Sequence, residues 1–410
     1  MAPTTNDLVE LNRKEYEVRT NVDRLRREVY QQTDPSSAPE LLEELAKAEE
    51  DLQAVEQERI AAQELDPNSG LILDTKKDTS THRGSETTGL EAKVYVKMAH
   101  VPTSFYHLLN MASTPLLTCT VRATKRLGDK SPKRRVRISS YIESYSARAI
   151  NTFELAINET HEFKQLPTLF PDRIRDVNEL TRATLNVVVQ DLDGSLELHE
   201  TEPIWLVARS SAPLAVMDPQ TGHWQDLTRY LGAFVTPNAP SLMTFLREAA
   251  RLHPDGHLVG YQGGPERVVP QVKALFDALK TKAEITYVNS VIDFNPQQGF
   301  ASQRVRLPRE SLADKEANCV DGTVLFASLL EGISMSPAIV LVPGHAFLAW
   351  ETWRGSNAWR YLETTMIGSS TFEQACASAE KTAEFYQGAK KLRMWSLSEL
   401  RTKFGITPME

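Results

Sequence analysis

The stretch EANCVDGTVLFASLLEGI, residues 316–333, decides how the C-terminal half of this chain is read. Asn318 is a favoured helix N-cap residue. Behind it Val320, Val324, Ala327 and Leu330 recur at helical spacing, and Leu325, Phe326 and Leu329 widen the apolar face. Gly332 provides a stop. The pattern predicts a mostly buried helix with Cys319 in its first turn. Unpaired N–H groups and the helix dipole favour an anion there, which draws a thiol toward thiolate, its nucleophilic form. A small packing residue fits the same position, and the helix by itself does not decide between the two.

The next residues supply partners. SPAIVLVPGHAFLAW, residues 336–350, reads as a buried strand, a Pro-Gly break and a second strand that opens on His345. On that strand His345, Phe347 and Ala349 share a face. ETWRGSNAWRYLETT, residues 351–365, adds a turn around Gly355 and a further strand. A hairpin symmetric about Arg354 sets His345 directly opposite Glu363, at cross-strand distance. Cys319, His345 and Glu363 are the residue types that thiol catalysis requires. Cys319 attacks a carbonyl, His345 takes the thiol proton and returns it to the leaving group, and Glu363 orients the imidazole. The Cys319 N–H is placed to help hold an oxyanion. The alternative reading makes Cys319 core, His345 an internally satisfied histidine and Glu363 a surface charge.

Working toward the N-terminus, VVPQVKALFDALKTK and PSLMTFLREAARL are amphipathic helices, and YVNSVIDF is an extended segment. Between about residues 92 and 212 the period becomes two, as in LLTCTVRATKRL, RRVRISSYIESYSA and ATLNVVVQDLDGSLELHETEPIWLVARS. DLDGS is a hairpin turn, and several short strands at this spacing predict a β-sandwich, Ig-like in class. Cys119 alternates within one of these strands as a core residue. Residues 67–91 are polar and turn-rich and read as a linker. Residues 1–66 carry heptad spacing on two segments (Leu8, Leu11, Val18, Val22, Leu25, Val29; then Leu41, Leu45, Ala48, Leu52, Val55, Ala62) joined by TDPSSAP. That predicts an antiparallel helical hairpin, either a structural arm or a surface for a protein partner or self-association. The expected class is α+β and multi-domain, with 213–410 as the third unit.

Charge and cysteine content narrow the classes. A net charge of −8 is a poor match to nucleic acid or anionic membranes. The basic KSPKRRVR, residues 130–137, reads as a solvated hairpin loop. Three cysteines, Cys119, Cys319 and Cys376, are too few and too odd for a disulfide framework. With no apolar leader and no run long enough to span a bilayer, the expectation is a cytoplasmic protein. Scattered histidines without ligand spacing imply no metal site and no cofactor. Tyr261, Trp350, Trp353 and Trp359 are either packing residues or the walls of a cleft. Cys376 falls on a helical pattern as packing.

NCVDGTVLFASLLEGI, VPGHAFLAW and WRYLETT, approached through SQRVRLPRESL, resemble the transglutaminase-like superfamily, which includes papain-like bacterial cysteine peptidases. The resemblance covers roughly residues 290–370. It implies a papain-type α+β domain with Cys319 as nucleophile, His345 as base and Glu363 as acid. Many members carry Asp at the third position, where this chain has Glu within LETT. Gln303 is an oxyanion or substrate-contact position on the same resemblance. Asp321 either caps the helix or joins the chemistry. The implied activity is thiol acyl transfer on a protein or peptide. Hydrolysis by a peptidase leads, because the sandwich and arm suit presentation of a protein substrate. A crosslinking or deamidating transglutaminase and a non-catalytic interaction scaffold are the alternatives.

Overall fold

The computed structural model describes residues 81–83, 89–124, 133–194, 197–218, 224–288 and 300–409, with scattered helical positions between Lys14 and Val55. It is a mixed α+β protein. The N-terminal half is strands: β1 (Thr81–Arg83), β2 (Leu90–Val96), β3 (His100–Pro102), β4 (Leu117–Ala123), β5 (Lys133–Ile142), β6 (Ala149–Ala156), β7 (Thr160–Gln165), β8 (Thr181–Asp191), β9 (Glu197–Val207) and β10 (Ser211–Met217). A one-turn helix α1 (Pro171–Ile174) interrupts them. One sheet has the order β1-β2-β4-β7 and a second β3-β9-β8-β5-β6. Period-two burial follows the sequence. Leu90, Ala92, Val94 and Val96 turn inward on β2, while Val136 and Ile138 do so on β5.

Three expectations change here. The linker expected over 67–91 contains β1, which pairs with β2 through backbone bonds. Its three residues, Thr81–Arg83, are too few to show an alternation. The segment KSPKRRVR is not all solvated loop. From Lys133 it is strand β5, and Arg134 is buried, with its guanidinium donating to Gly89 O at 2.8 Å and paired with Asp191. The division expected at 212/213 falls inside β10, which pairs with β13 from the later half.

The second half contains β11 (Trp224–Asp226), α2 (Pro240–Ala250), α3 (Val268–Thr281), β12 (Thr286–Tyr287), β13 (Phe300–Arg304), α4 (Pro308–Asp314), β14 (Glu316–Ala317), α5 (Cys319–Gly332), β15 (Pro337–Val342), β16 (His345–Glu351), β17 (Trp359–Leu362), α6 (Phe372–Gly388), β18 (Arg393–Ser396) and α7 (Leu397–Thr402). Its main sheet runs β17-β16-β15-β18, all antiparallel. Alternate residues face two layers. Ala346, Leu348 and Trp350 join the cluster that contains α5. Ala338, Val340, Phe347 and Ala349 pack with Ala379, Ala383 and Tyr386 of α6. Helix α5 is apolar almost all round and correspondingly buried from Cys319 to Leu330.

The helical hairpin expected over residues 1–66 lies largely outside the described residues. At the positions described, Leu25, Leu45, Ala48 and Val55 are buried. Leu25, Leu45 and Ala48 form a small cluster against which Phe385 of α6 packs. Lys14, Glu17, Glu43, Glu44 and Lys47 between them are exposed. No helix among the described residues is long and apolar enough to cross a membrane.

Candidate active site

The start of α5 is held by a dense set of polar bonds. Asn318 Oδ1 accepts from the N–H groups of Val320 and Asp321, each at 2.8 Å. Asp321 Oδ2 returns the favour by accepting from Asn318 N–H at 3.1 Å, which completes a capping box. Asp321 is fully buried and accepts again from the Arg306 backbone N–H at 2.7 Å and from its guanidinium at 2.9 Å. Arg306 also pairs with Glu316. Burial pushes the Asp321 carboxyl up, and the bonds from Arg306 and Asn318 oppose that push. These bonds fix the first turn and with it Cys319. The Cys319 N–H is left without an acceptor among the described residues.

His345 opens β16 immediately after the tight Pro343–Gly344 turn, where Gly344 has φ of 69° and supplies the left-handed conformation that favours glycine. Its Nε2 lies 2.7 Å from Glu363 Oε2. Its side chain also hydrogen-bonds to Cys319, so Nδ1 is the nitrogen turned to the thiol. The two side chains are 2% and 1% exposed, which excludes water from their contact. Burial lowers the His345 pKa, but the Glu363 carboxylate and the bond to Cys319 outweigh it and raise the value to about 10. Burial likewise pushes Glu363 up, and the charge of His345 with hydrogen bonds from His345 and Thr365 brings it below the usual carboxylate range. Glu363 Oε1 accepts from Thr365 N–H at 3.0 Å and from its hydroxyl at 2.6 Å.

The contact expected between His345 and Glu363 is present, but the register differs. Leu348 stands opposite Leu362 and Ala349 opposite Tyr361, so the ladder is offset by two residues from symmetry about Arg354. An even offset keeps every side chain on its face. Glu363 lies just past β17, as the N-cap of the 3-10 turn Thr364–Met366, and meets His345 diagonally.

Gly322 lets this turn approach the helix. A Cβ there would lie 2.9 Å from Thr364 Oγ1 and 3.1 Å from Thr364 Cβ. Gly322→Val therefore separates the Glu363 turn from Cys319. The expected loss is about 1–3 kcal/mol from overpacking, read as a lowered urea midpoint together with slower alkylation of Cys319. An unchanged midpoint and rate would show that the turn has room to retreat.

Gln303 is buried on β13, and its Nε2 donates to Arg304 O at 2.9 Å. Asn318 Nδ2 donates to the same oxygen at 3.3 Å. Gln303 thus stands beside the cap, with one of its two amide hydrogens on the backbone. Asp321 caps the helix. Trp350 is wholly core, and Tyr261 is buried with its hydroxyl donating to Glu351 O at 2.8 Å and its ring edge-on to Trp353. Burial pushes the Cys119 and Cys376 thiols up to about 12, which makes them inert beside Cys319.

Sequence reasoning passed over Arg306, Thr365 and Tyr287. An Arg between two short apolar runs, RVRLP, carries no periodic signal for burial. Tyr287 sits on the two-residue strand β12, directly opposite Ala317 of β14 and so two residues ahead of the pairing position of Cys319. Burial and the nearby charges of Cys319 and Glu363 push its phenol up to about 12. Among the described residues no group of three or more His, Cys, Asp or Glu is arranged to hold a metal ion. No protein-family model matches the chain, and no curated protein matches it.

Proposed function

We propose that this chain is a cysteine-dependent acyl-transfer enzyme that forms a thioester on Cys319. The observation that carries the reading is the buried imidazole of His345, bonded to Glu363 through one nitrogen and turned to the Cys319 thiol with the other. His345 takes the thiol proton, the thiolate adds to a carbonyl carbon, and His345 returns the proton to the departing amine. Water then releases the acyl group. A protein or peptide is the favoured substrate and hydrolysis the favoured outcome. An amine acceptor would give crosslinking instead, and the same thioester serves both.

The order of elements supports a transglutaminase-like, papain-type domain in the second half of the chain: a helix opening on Cys319, a strand opening on His345, and Glu363 after the next strand. The two preceding sheets support a β-sandwich, and the buried heptad positions Leu25, Leu45 and Ala48 support a helical arm. The three free thiols accord with a reducing, cytoplasmic setting.

The test is the pH dependence of Cys319 alkylation by iodoacetamide, with Cys119 and Cys376 replaced by serine. Fast labelling well below pH ~8, the range of an ordinary thiol, is expected, and His345→Ala abolishes it. Slow labelling indifferent to His345 would remove the enzyme reading and leave the scaffold one.

A further inference from the structure

We infer that Tyr287 is a further catalytic residue, whose phenol O–H and the Cys319 backbone N–H together hold the oxyanion formed when Cys319 adds to a substrate carbonyl. This rests on the acyl-transfer reading above.

Strand β12 is fixed beside the nucleophile by its parallel ladder. Thr286 N–H donates to Lys315 O at 2.9 Å, and Val288 N–H donates to Ala317 O at 3.1 Å. A Cβ at Gly368 would lie 2.9 Å from Ile285 O, so the loop after Glu363 closes on the other flank of the same segment. Tyr287 therefore lies between the start of α5 and the Glu363 turn. The residue is 43% exposed, which puts it at the surface rather than in the core. Burial, and after it the charges of Cys319 and Glu363, push the phenol up to about 12, so it stays protonated through the neutral range. A neutral phenol is a donor at any working pH.

Both hydrogens lack an acceptor among the described residues. The Asn318 side chain takes the N–H groups of Val320 and Asp321 and leaves that of Cys319. The Tyr287 hydroxyl makes no hydrogen bond there either. Gln303, the residue type expected for this role, has one of its two amide hydrogens on Arg304 O. Two donors with no acceptor, one on Cys319 itself and one on the residue paired with Ala317, suit an oxygen that arrives with the substrate. In the step itself the S–C bond forms and the carbonyl π pair moves to oxygen. The two donors hold that charge. On collapse the C–N bond breaks, and the amine leaves with the proton from His345.

Two probes separate this role from any other. Iodoacetamide alkylates by displacement at a saturated carbon and develops no oxyanion, whereas p-nitrophenyl acetate acylates through one. In Tyr287→Phe, the p-nitrophenol burst is expected to slow by about 10²-fold, the usual size for one lost oxyanion donor, while iodoacetamide labelling stays within about 2-fold. Equal slowing of both reactions would overturn the inference and make Tyr287 a support for the thiolate or the fold. No slowing of either would also overturn it. Failure of the wild-type chain to be acylated at Cys319 would sink the enzyme reading itself, a result visible before any variant is made.

Discussion

Glu363→Ala is expected to lose about 3–5 kcal/mol of stability, the usual cost of removing one partner from a buried ion pair. It is also expected to slow acyl transfer by about 10²–10⁴-fold, the range that positioned acid–base groups contribute. Both effects have one cause. Glu363 is the carboxylate that offsets the buried imidazolium, and it fixes which nitrogen of His345 faces the thiol. The pH dependence identifies this cause. His345 is held above its ordinary value of 6.5, so its contribution is complete below 6.5 and is lost as pH rises through about 10. Glu363 is held below its ordinary 4.5, so its contribution is complete above 4.5 and is lost as pH falls. Wild-type stability from this pair is thus greatest between 4.5 and 6.5 and declines on both sides. Urea denaturation at several pH values checks it. Glu363→Ala flattens both slopes, and parallel curves for the two proteins would refute the pair as a source of stability.

Arg306→Met is the second large effect. The Arg306 side chain is 8% exposed and pairs with Asp321, whose side chain is wholly buried. Removing it leaves a carboxylate in the core with two backbone donors, Arg306 N–H and Asn318 N–H. Burial already pushes that carboxyl up, so it takes a proton and weakens as a cap. The expected loss is again about 3–5 kcal/mol, with slower labelling of Cys319 as the first turn loosens. The double variant Arg306→Met with Asp321→Asn removes both charges. It is expected to recover part of the stability, because the orphaned charge is gone, while the amide keeps only one oxygen for the Arg306 and Asn318 N–H groups. Thermal denaturation of the single and double variants decides it. A single variant within about 0.5 kcal/mol of wild type, as for an ordinary surface change, would show that Arg306 does not anchor the turn.

Periodicity carried much of this into view. Helix α5, the β15–β16 hairpin and the strands between residues 92 and 212 declare themselves because burial imposes a period of 3.6 or 2 on the sequence. The same force made Cys319, His345 and Glu363 readable as neighbours even with the register two residues out. What periodicity does not encode is polar bonding across a break in pattern. Arg306 is buried because Asp321 is there to receive it, and Tyr287 stands opposite Ala317 because a two-residue strand pairs with β14. Neither segment is long enough to show an alternation. Strand β1, three residues long and paired with β2, escaped for the same reason.

The offset hairpin has a consequence for how the chain reaches this state. His345 and Glu363 are 18 residues apart in sequence, and Arg306 and Asp321 are 15 apart. Closing such short loops costs little entropy, and the cost grows only with the logarithm of length. The pairing of His100 with Trp205, by contrast, must bring together segments from the two ends of the N-terminal half. The polar frame around the sulfur is therefore a structure of low contact order set inside a chain of higher contact order. Its geometry is written into neighbouring segments.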